Sequence, residues 1–278
     1  MERDLRGSER ATMSIFSLQH ESNPGVPLVF VHGFLGRPSM WGAVIERLAE
    51  HSPIALATLP GHGSTPWFPR EDSFVGAIHE LASQWPFDAP VTVVGYSMGA
   101  RLALGLSILY PEKIARAILL SGDPGLRDET ERAQRLLWDE EQATSLEREG
   151  LEAFSERWAR LPLFATQEKL PVSVREAQQQ ERREHTMGGV AWAMRTLGLG
   201  RMPSWWEQLS TCKVPLQIVT GALDLKFTKI GAEMSQFATH TVIPGVGHNV
   251  VIEAPASIVN AIERDLSLLM AKPSMSLS

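Results

Sequence analysis

The stretch VTVVGYSMGARLAL, residues 91–104, constrains the chain more than any other. An apolar, β-branched run stops at Gly95, a serine stands between two glycines, and a helical apolar pattern follows at once. G-x-S-x-G on its own is also an ordinary Gly-Ser turn. Between a strand and a helix it predicts a sharp elbow that forces Ser97 into a strained backbone conformation, with Gly95 and Gly99 leaving room for close packing. The serine then stands at the top of a sheet, at a helix N-terminus whose unpaired N–H groups and dipole favour negative charge.

The rest of the chain supplies such a sheet. Short apolar runs recur at 13–19, 27–33, 53–60, 91–97, 114–122, 214–221 and 240–247, most of them bounded by Gly or Pro. Helical patterns such as SMWGAVIERLAEH (39–51) and SFVGAIHELASQW (73–85) lie between them. Continuous apolar strands alternating with amphipathic helices predict an α/β fold, a mainly parallel sheet covered by helices on both faces. Residues 123–210 contain no strand-like run and are rich in Arg, Glu, Gln and Trp. They read as a helical lid inserted after the fifth parallel-type strand, over the sheet edge where open α/β folds bind ligands. The expected organisation is a loose tail over 1–12, a core over 13–122 and 211–270, and the lid over 123–210; the final AKPSMSLS is expected to fray.

Composition narrows the function classes. The net charge of −6 gives no general attraction to nucleic acid or acidic membranes. The one cysteine, Cys212, rules out an internal disulfide and a cysteine-rich metal site. The charged first dozen residues do not read as a signal peptide, and no run of about 18 apolar residues reads as a membrane span. A cytoplasmic protein is expected.

A serine hydroxyl is a weak nucleophile and base until a neighbour takes its proton. After an elbow serine the expected chain order is acid, then histidine. GALD (221–224) follows one predicted strand and supplies Asp224; GVGHN (245–249) follows another and supplies His248. Asp224 would orient the imidazole and His248 would exchange a proton with Ser97. Asp123, after the strand run 114–122, is a rival acid. VHGFLG (31–36) sits where a loop lends one backbone N–H to an oxyanion hole; the two donors are assigned to Phe34 and Met98. His32 is read as shaping that loop. Histidines 20, 51, 62, 79, 185 and 240 are read mostly as surface residues.

HGFLG, LPGHG, GYSMG, the late Asp and GxGH resemble the α/β-hydrolase superfamily over about residues 13–270. Within it, GYSMGAR, SGDPGLRDETERAQR, FSERWARLPLFA, GGVAWAMRTLGLGRMPSWWEQL, DLKF and GHNVVIEAP resemble the 2-succinyl-6-hydroxy-2,4-cyclohexadiene-1-carboxylate synthases of menaquinone biosynthesis. Ala100 and Thr58 depart from that pattern, and the match around QQQERREH is loose.

The resemblance implies a lyase that removes pyruvate from 2-succinyl-5-enolpyruvyl-6-hydroxy-3-cyclohexene-1-carboxylate, with an activated Ser97 as base and no cofactor or metal. The oxyanion hole would hold the enolate oxygen formed as the proton leaves. The implied partner is a small substrate with three carboxylates, which calls for local positive charge. Arginine suits this because its planar guanidinium pairs bidentately with carboxylate. The chain has 20 arginines against 6 lysines, a bias that helical surfaces can also produce. Arg101 lies one helical turn after Ser97. The lid motifs point to Arg135 and to Arg182, with Arg183 as competitor; Tyr96 and Trp158 match pocket positions. Fold and triad do not decide a reaction, so two other readings stand. One is a carboxylesterase or C–C bond hydrolase with Ser97 as nucleophile, and the other is a non-catalytic ligand-binding protein. The arginine set and DLKF favour the lyase.

Overall fold

The computed structural model describes residues 14–64 and 66–270, so the tail expectations for 1–12 and 271–278 lie outside the described residues. The chain forms β1 (Phe16–Gln19), β2 (Leu28–Val31), α1 (Gly42–Leu48), β3 (Ile54–Ala57), α2 (Phe74–Ser83), β4 (Val91–Tyr96), α3 (Met98–Leu109) and β5 (Ile114–Leu120). Four helices follow without a strand: α4 (Glu129–Glu149), α5 (Leu151–Ala159), α6 (Val172–Arg183) and α7 (Met187–Leu197). The chain then returns through β6 (Leu216–Gly221), α8 (Leu225–Met234), β7 (Thr239–Ile243), α9 (Val250–Glu253) and α10 (Pro255–Met270).

The seven strands form one sheet in the order β1-β3-β2-β4-β5-β6-β7. All neighbours run parallel except β1, which pairs antiparallel with β3. This corrects one expectation: the helical insertion follows the fifth strand of the chain but only the fourth of the parallel set. The run FSLQ at the sheet edge is half exposed, and nothing local in it encodes direction.

Strands β2 to β6 are buried on both faces, which is why they read as unbroken apolar runs. In β2, Val29 and Val31 face a core shared with α2 and α3, while Leu28 and Phe30 face a second core under α1, α9 and α10. Helix α3 is buried almost throughout because it crosses the centre of the sheet. Order reverses between β2 and β4: the chain leaves β2 for β3 on one side and builds β4 to β7 on the other. The loops after β2 and β4 therefore diverge and leave a crevice at the strands' C-terminal edge.

The two ends of the helical insertion are tied together. The amide of Trp205 donates to the Pro124 carbonyl at 2.7 Å, and the Trp206 indole N–H donates to the Gly125 carbonyl at 2.9 Å. Among the described residues no helix is long and apolar enough to cross a membrane.

Candidate active site

Ser97 connects β4 to α3 with φ 51° and ψ −109°, a left-handed conformation that costs a non-glycine residue roughly 1–3 kcal/mol. The glycines on either side are required by close approach. A Cβ on Gly95 would stand 2.4 Å from the Gly99 carbonyl oxygen, and one on Gly99 would stand 2.1 Å from that of Val31. Strand and helix can meet this tightly only without side chains at those two positions.

Parallel β4, β6 and β7 end on the same sheet edge, so the loops after them converge there. His248, after β7, places Nε2 3.0 Å from Ser97 Oγ and Nδ1 2.7 Å from Asp224 Oδ2, after β6. The carboxylate can only accept, so Nδ1 carries the proton and the Nε2 lone pair faces the serine hydroxyl. Both His248 and Asp224 are buried. Asp224 Oδ1 accepts the Phe227 amide as the N-cap of α8 (3.3 Å), and the Ser121 hydroxyl donates to the His248 carbonyl (2.9 Å). These bonds set the orientations of the Asp224 carboxylate and of the loop that carries the His248 imidazole. The rival Asp123 instead accepts the Gly125 amide at 2.8 Å.

Met98 opens α3, and Phe34 lies in the loop after β2. Among the described residues neither amide donates to a protein acceptor, as an oxyanion hole requires. Gly36 N–H donates to the Gly33 carbonyl at 3.0 Å, closing a four-residue turn around Phe34 and Leu35. Leu35 has φ 57°, at a turn position where glycine is favoured.

A cavity of about 360 Å³ opens over Ser97, within the range for a small-molecule site. Arg101, Arg135, Arg182, Tyr96 and Trp158 all line it. Arg101 is buried and donates from Nη1 to the Leu197 carbonyl, the last of α7, at 2.9 Å; burial, and next the charge of Arg135, lowers its pKa to about 10. It stays charged at neutral pH. Arg135 donates from Nε to the buried Asp139 (2.8 Å), and among the described residues its Nη groups have no partner. Arg182 makes no ion pair among the described residues, and burial moves its pKa down. Its competitor Arg183 points away and pairs with Glu152. Trp158 stacks on Phe154 and meets Phe34 edge-on at 5.0 Å. Burial, then the nearby Glu253 and Asp224, raises the Tyr96 hydroxyl well above its usual range, so it remains a donor.

Sequence reasoning passed over Lys226 at the cavity rim and Trp138, Gln178 and Phe227 in its wall. The DLKF motif contains Lys226 and Phe227, and their adjacency to Asp224 was the available signal. The reading of His62 and His185 as surface residues is corrected: they are 0% and 6% exposed, because two loops and the α6–α7 junction close over them. Among the described residues no group of three or more His, Cys, Asp or Glu side chains is placed to hold a metal ion.

Residues 28–261 match the alpha/beta hydrolase family. The chain is 31% identical over 253 residues to the 2-succinyl-6-hydroxy-2,4-cyclohexadiene-1-carboxylate synthase of Enterobacter sp. (strain 638), covering 88% of this chain and 93% of that protein. It is 30% identical over 259 residues to the enzyme of the same name from Salmonella agona (strain SL483), covering 92% and 100%. The solved structure of MenH from S. aureus superposes with a TM-score of 0.86 at 30% identity, over 93% of this chain and all of that one.

Proposed function

The chain belongs to the alpha/beta hydrolase family and, within it, to the 2-succinyl-6-hydroxy-2,4-cyclohexadiene-1-carboxylate synthases, and on that footing we propose that it is a lyase of menaquinone biosynthesis that eliminates pyruvate from 2-succinyl-5-enolpyruvyl-6-hydroxy-3-cyclohexene-1-carboxylate. The observation that carries this reading is the convergence of three guanidinium groups, Arg101, Arg135 and Arg182, on the cavity that holds Ser97, in a chain of net charge −6. The substrate has three carboxylates, and charge-assisted pairing with arginine is the direct way to hold them. Lys226 adds a fourth cation at the rim.

In this reading Ser97 Oγ takes the proton beside the succinyl ketone while its own proton passes to His248 Nε2. The C–H electrons form an enolate whose oxygen accepts from the Phe34 and Met98 amides. That charge then moves through the ring, the C–O bond to the enolpyruvyl group breaks, and its electron pair leaves on oxygen; protonation gives pyruvate. Asp224 stabilises the imidazolium throughout. Residues 123–210 act as a lid that brings Arg135, Trp158 and Arg182 over the serine and excludes water.

The alternative is a carboxylesterase or C–C bond hydrolase in which Ser97 attacks a carbonyl and water cleaves the acyl-enzyme. Purified protein incubated with the enolpyruvyl substrate in H₂¹⁸O separates the two. The expected result is one pyruvate per cyclohexadiene product, no label in either carbon skeleton beyond exchange at the ketones, and no adduct on the Ser97 peptide after rapid quenching. A kinetically competent acyl-Ser97 with labelled carboxylate product establishes the hydrolase instead.

The two adjacent arginines provide a second test. Arg182→Ala is expected to lower kcat/KM for the anionic substrate about 10–100-fold, the worth of a lost charge-assisted hydrogen bond of roughly 1.5–3 kcal/mol. Arg183→Ala removes only an exposed pair with Glu152 and is expected to change it less than about threefold, as surface pairs contribute roughly 0–1 kcal/mol. Equal losses in the two variants contradict the carboxylate-binding role.

A further inference from the structure

Two buried histidines that no step of the elimination uses bind the loop carrying the Phe34 amide to its neighbour. His32 and Leu35 belong to the loop after β2; Leu59 and His62 belong to the loop after β3. The loops exchange acceptors: the Leu59 amide donates to His32 Nε2 at 3.1 Å, and the Leu35 amide donates to His62 Nε2 at 3.2 Å. The other nitrogen of each ring lies against a carbonyl, His32 Nδ1 with Gly33 at 2.8 Å and His62 Nδ1 with Pro60 at 2.9 Å. A carbonyl only accepts, so the proton sits on Nδ1 and Nε2 is the acceptor in both rings. His185, from the α6–α7 junction, accepts the Gly63 amide on Nδ1 at 2.9 Å and packs edge-on against His62 at 5.2 Å. Burial holds His62 well below its usual pKa, so no proton competes for its Nε2 at neutral pH.

We propose that His62 is a positioning residue of the oxyanion hole: by accepting the Leu35 amide it holds the Gly33–Gly36 turn in its left-handed form and so fixes the Phe34 amide beside Ser97. The proposal rests on the oxyanion role assigned to Phe34 above. Its physical basis is the turn itself. Phe34 and Leu35 occupy the two central positions, and Leu35 has φ 57° where glycine is the favoured residue. The alternative turn, with negative φ at that position, differs by a flip of the Phe34–Leu35 peptide. That flip turns the Leu35 N–H away from His62 and swings the Phe34 carbonyl to the opposite face of the turn; the Phe34 N–H belongs to the preceding peptide, and His62 restrains it by tethering the peptide that follows Phe34. A branched residue in the disfavoured form needs a partner that exists only in that form, and His62 Nε2 is that partner. His32 reinforces the same arrangement from the other loop, and His185 closes it from the helical insertion.

The test compares His62→Phe, which keeps a ring but removes the acceptor, with His62→Gln, whose side-chain oxygen reaches toward the Nε2 position, and with the shorter His62→Asn. Two rates are read on each: pyruvate release from the enolpyruvyl substrate and phosphonylation of Ser97 by a fluorophosphonate. In the latter the Ser97 Oγ–P bond forms, fluoride leaves, the hydroxyl proton passes to His248, and the phosphoryl oxygen occupies the oxyanion position. His62→Phe is expected to lower kcat and the phosphonylation rate each about 10²-fold, the scale of one lost oxyanion donor, with KM changed less than about threefold. His62→Gln is expected to recover at least about tenfold of that loss, and His62→Asn to recover none. If His62→Phe does not fold, the Gln and Asn variants carry the comparison, and equal rates in those two overturn the proposal. So do rates within threefold of wild type in His62→Phe, or a loss of kcat matched by an equal rise in KM. A wild-type chain that releases no pyruvate but is phosphonylated refutes the elimination chemistry and leaves the phosphonylation arm as the measure of His62.

Discussion

Ser97→Ala is expected to lower turnover of the enolpyruvyl substrate by about 10⁴–10⁶-fold, because the three residues act as one unit and removing the serine or the histidine alone forfeits nearly all of its effect. The serine hydroxyl is the only group hydrogen-bonded to His248 Nε2 among the described residues. Without Oγ, nothing at that position takes the substrate proton, and a water in its place lacks the fixed orientation that makes the reaction intramolecular. The fold should be little affected. Alanine keeps the Cβ that already tolerates φ 51°, and only one hydrogen bond of roughly 1 kcal/mol is lost. The arginines are untouched, so substrate affinity should change less than about threefold. Pyruvate release and calorimetric binding of the product measure the two quantities separately. Near-normal turnover in Ser97→Ala removes the serine from the mechanism, and a loss explained by weaker binding makes it a contact residue.

Asp224→Asn is expected to lower turnover by about 10⁴-fold through the wrong imidazole tautomer. The structure shows why the amide must adopt the damaging orientation. Asp224 Oδ1 accepts the Phe227 amide at the start of α8, and Oδ2 accepts the His248 Nδ1 proton. An asparagine keeps the helix cap only by leaving its oxygen toward Phe227 N–H. Its NH₂ then faces His248 Nδ1, which must become an acceptor. The proton moves to Nε2, which can no longer accept the Ser97 hydroxyl proton. The reverse orientation sets NH₂ against N–H and gives up the cap, worth about 1 kcal/mol. Turnover by pyruvate release, together with imidazole proton resonances in the two proteins, checks the argument. More than a tenth of wild-type activity with the Nε2–H tautomer demonstrated places the acid role on another carboxylate; among the described residues Asp123 and Glu181 line the same cavity.

The helical insertion shows where sequence reading stopped. Residues 181–184, ERRE, offer two adjacent arginines with the same chemistry. Successive residues on a helix point about 100° apart, so at most one can face the cavity. The choice depends on which face of α6 packs inward, and that is decided by α5 and the surrounding turn, outside the motif. Arg101 is a different case. Its position one turn after Ser97 was evident from helix geometry, but its engagement with the Leu197 carbonyl joins residues 96 apart in the chain.

The type and order of the elements and the identity of the elbow follow from local patterns in the chain. Unbroken apolar runs, amphipathic helices and the glycines at 95 and 99 are local features, and each states its own requirement within a few residues. The same patterns also placed Ser97, Asp224 and His248 after β4, β6 and β7, since strands of a parallel sheet end on one edge. Tertiary structure alone decided the antiparallel direction of β1, the choice of Arg182 over Arg183 at the cavity, and the burial of His62 and His185. Each of these depends on a partner distant in the chain: β3 for β1, the α5 packing for α6, and for His62 a loop 27 residues away. A lone histidine in a glycine-rich loop looks the same in sequence whether water or a backbone amide faces its ring. Only the closure of one loop over the other supplies the amide.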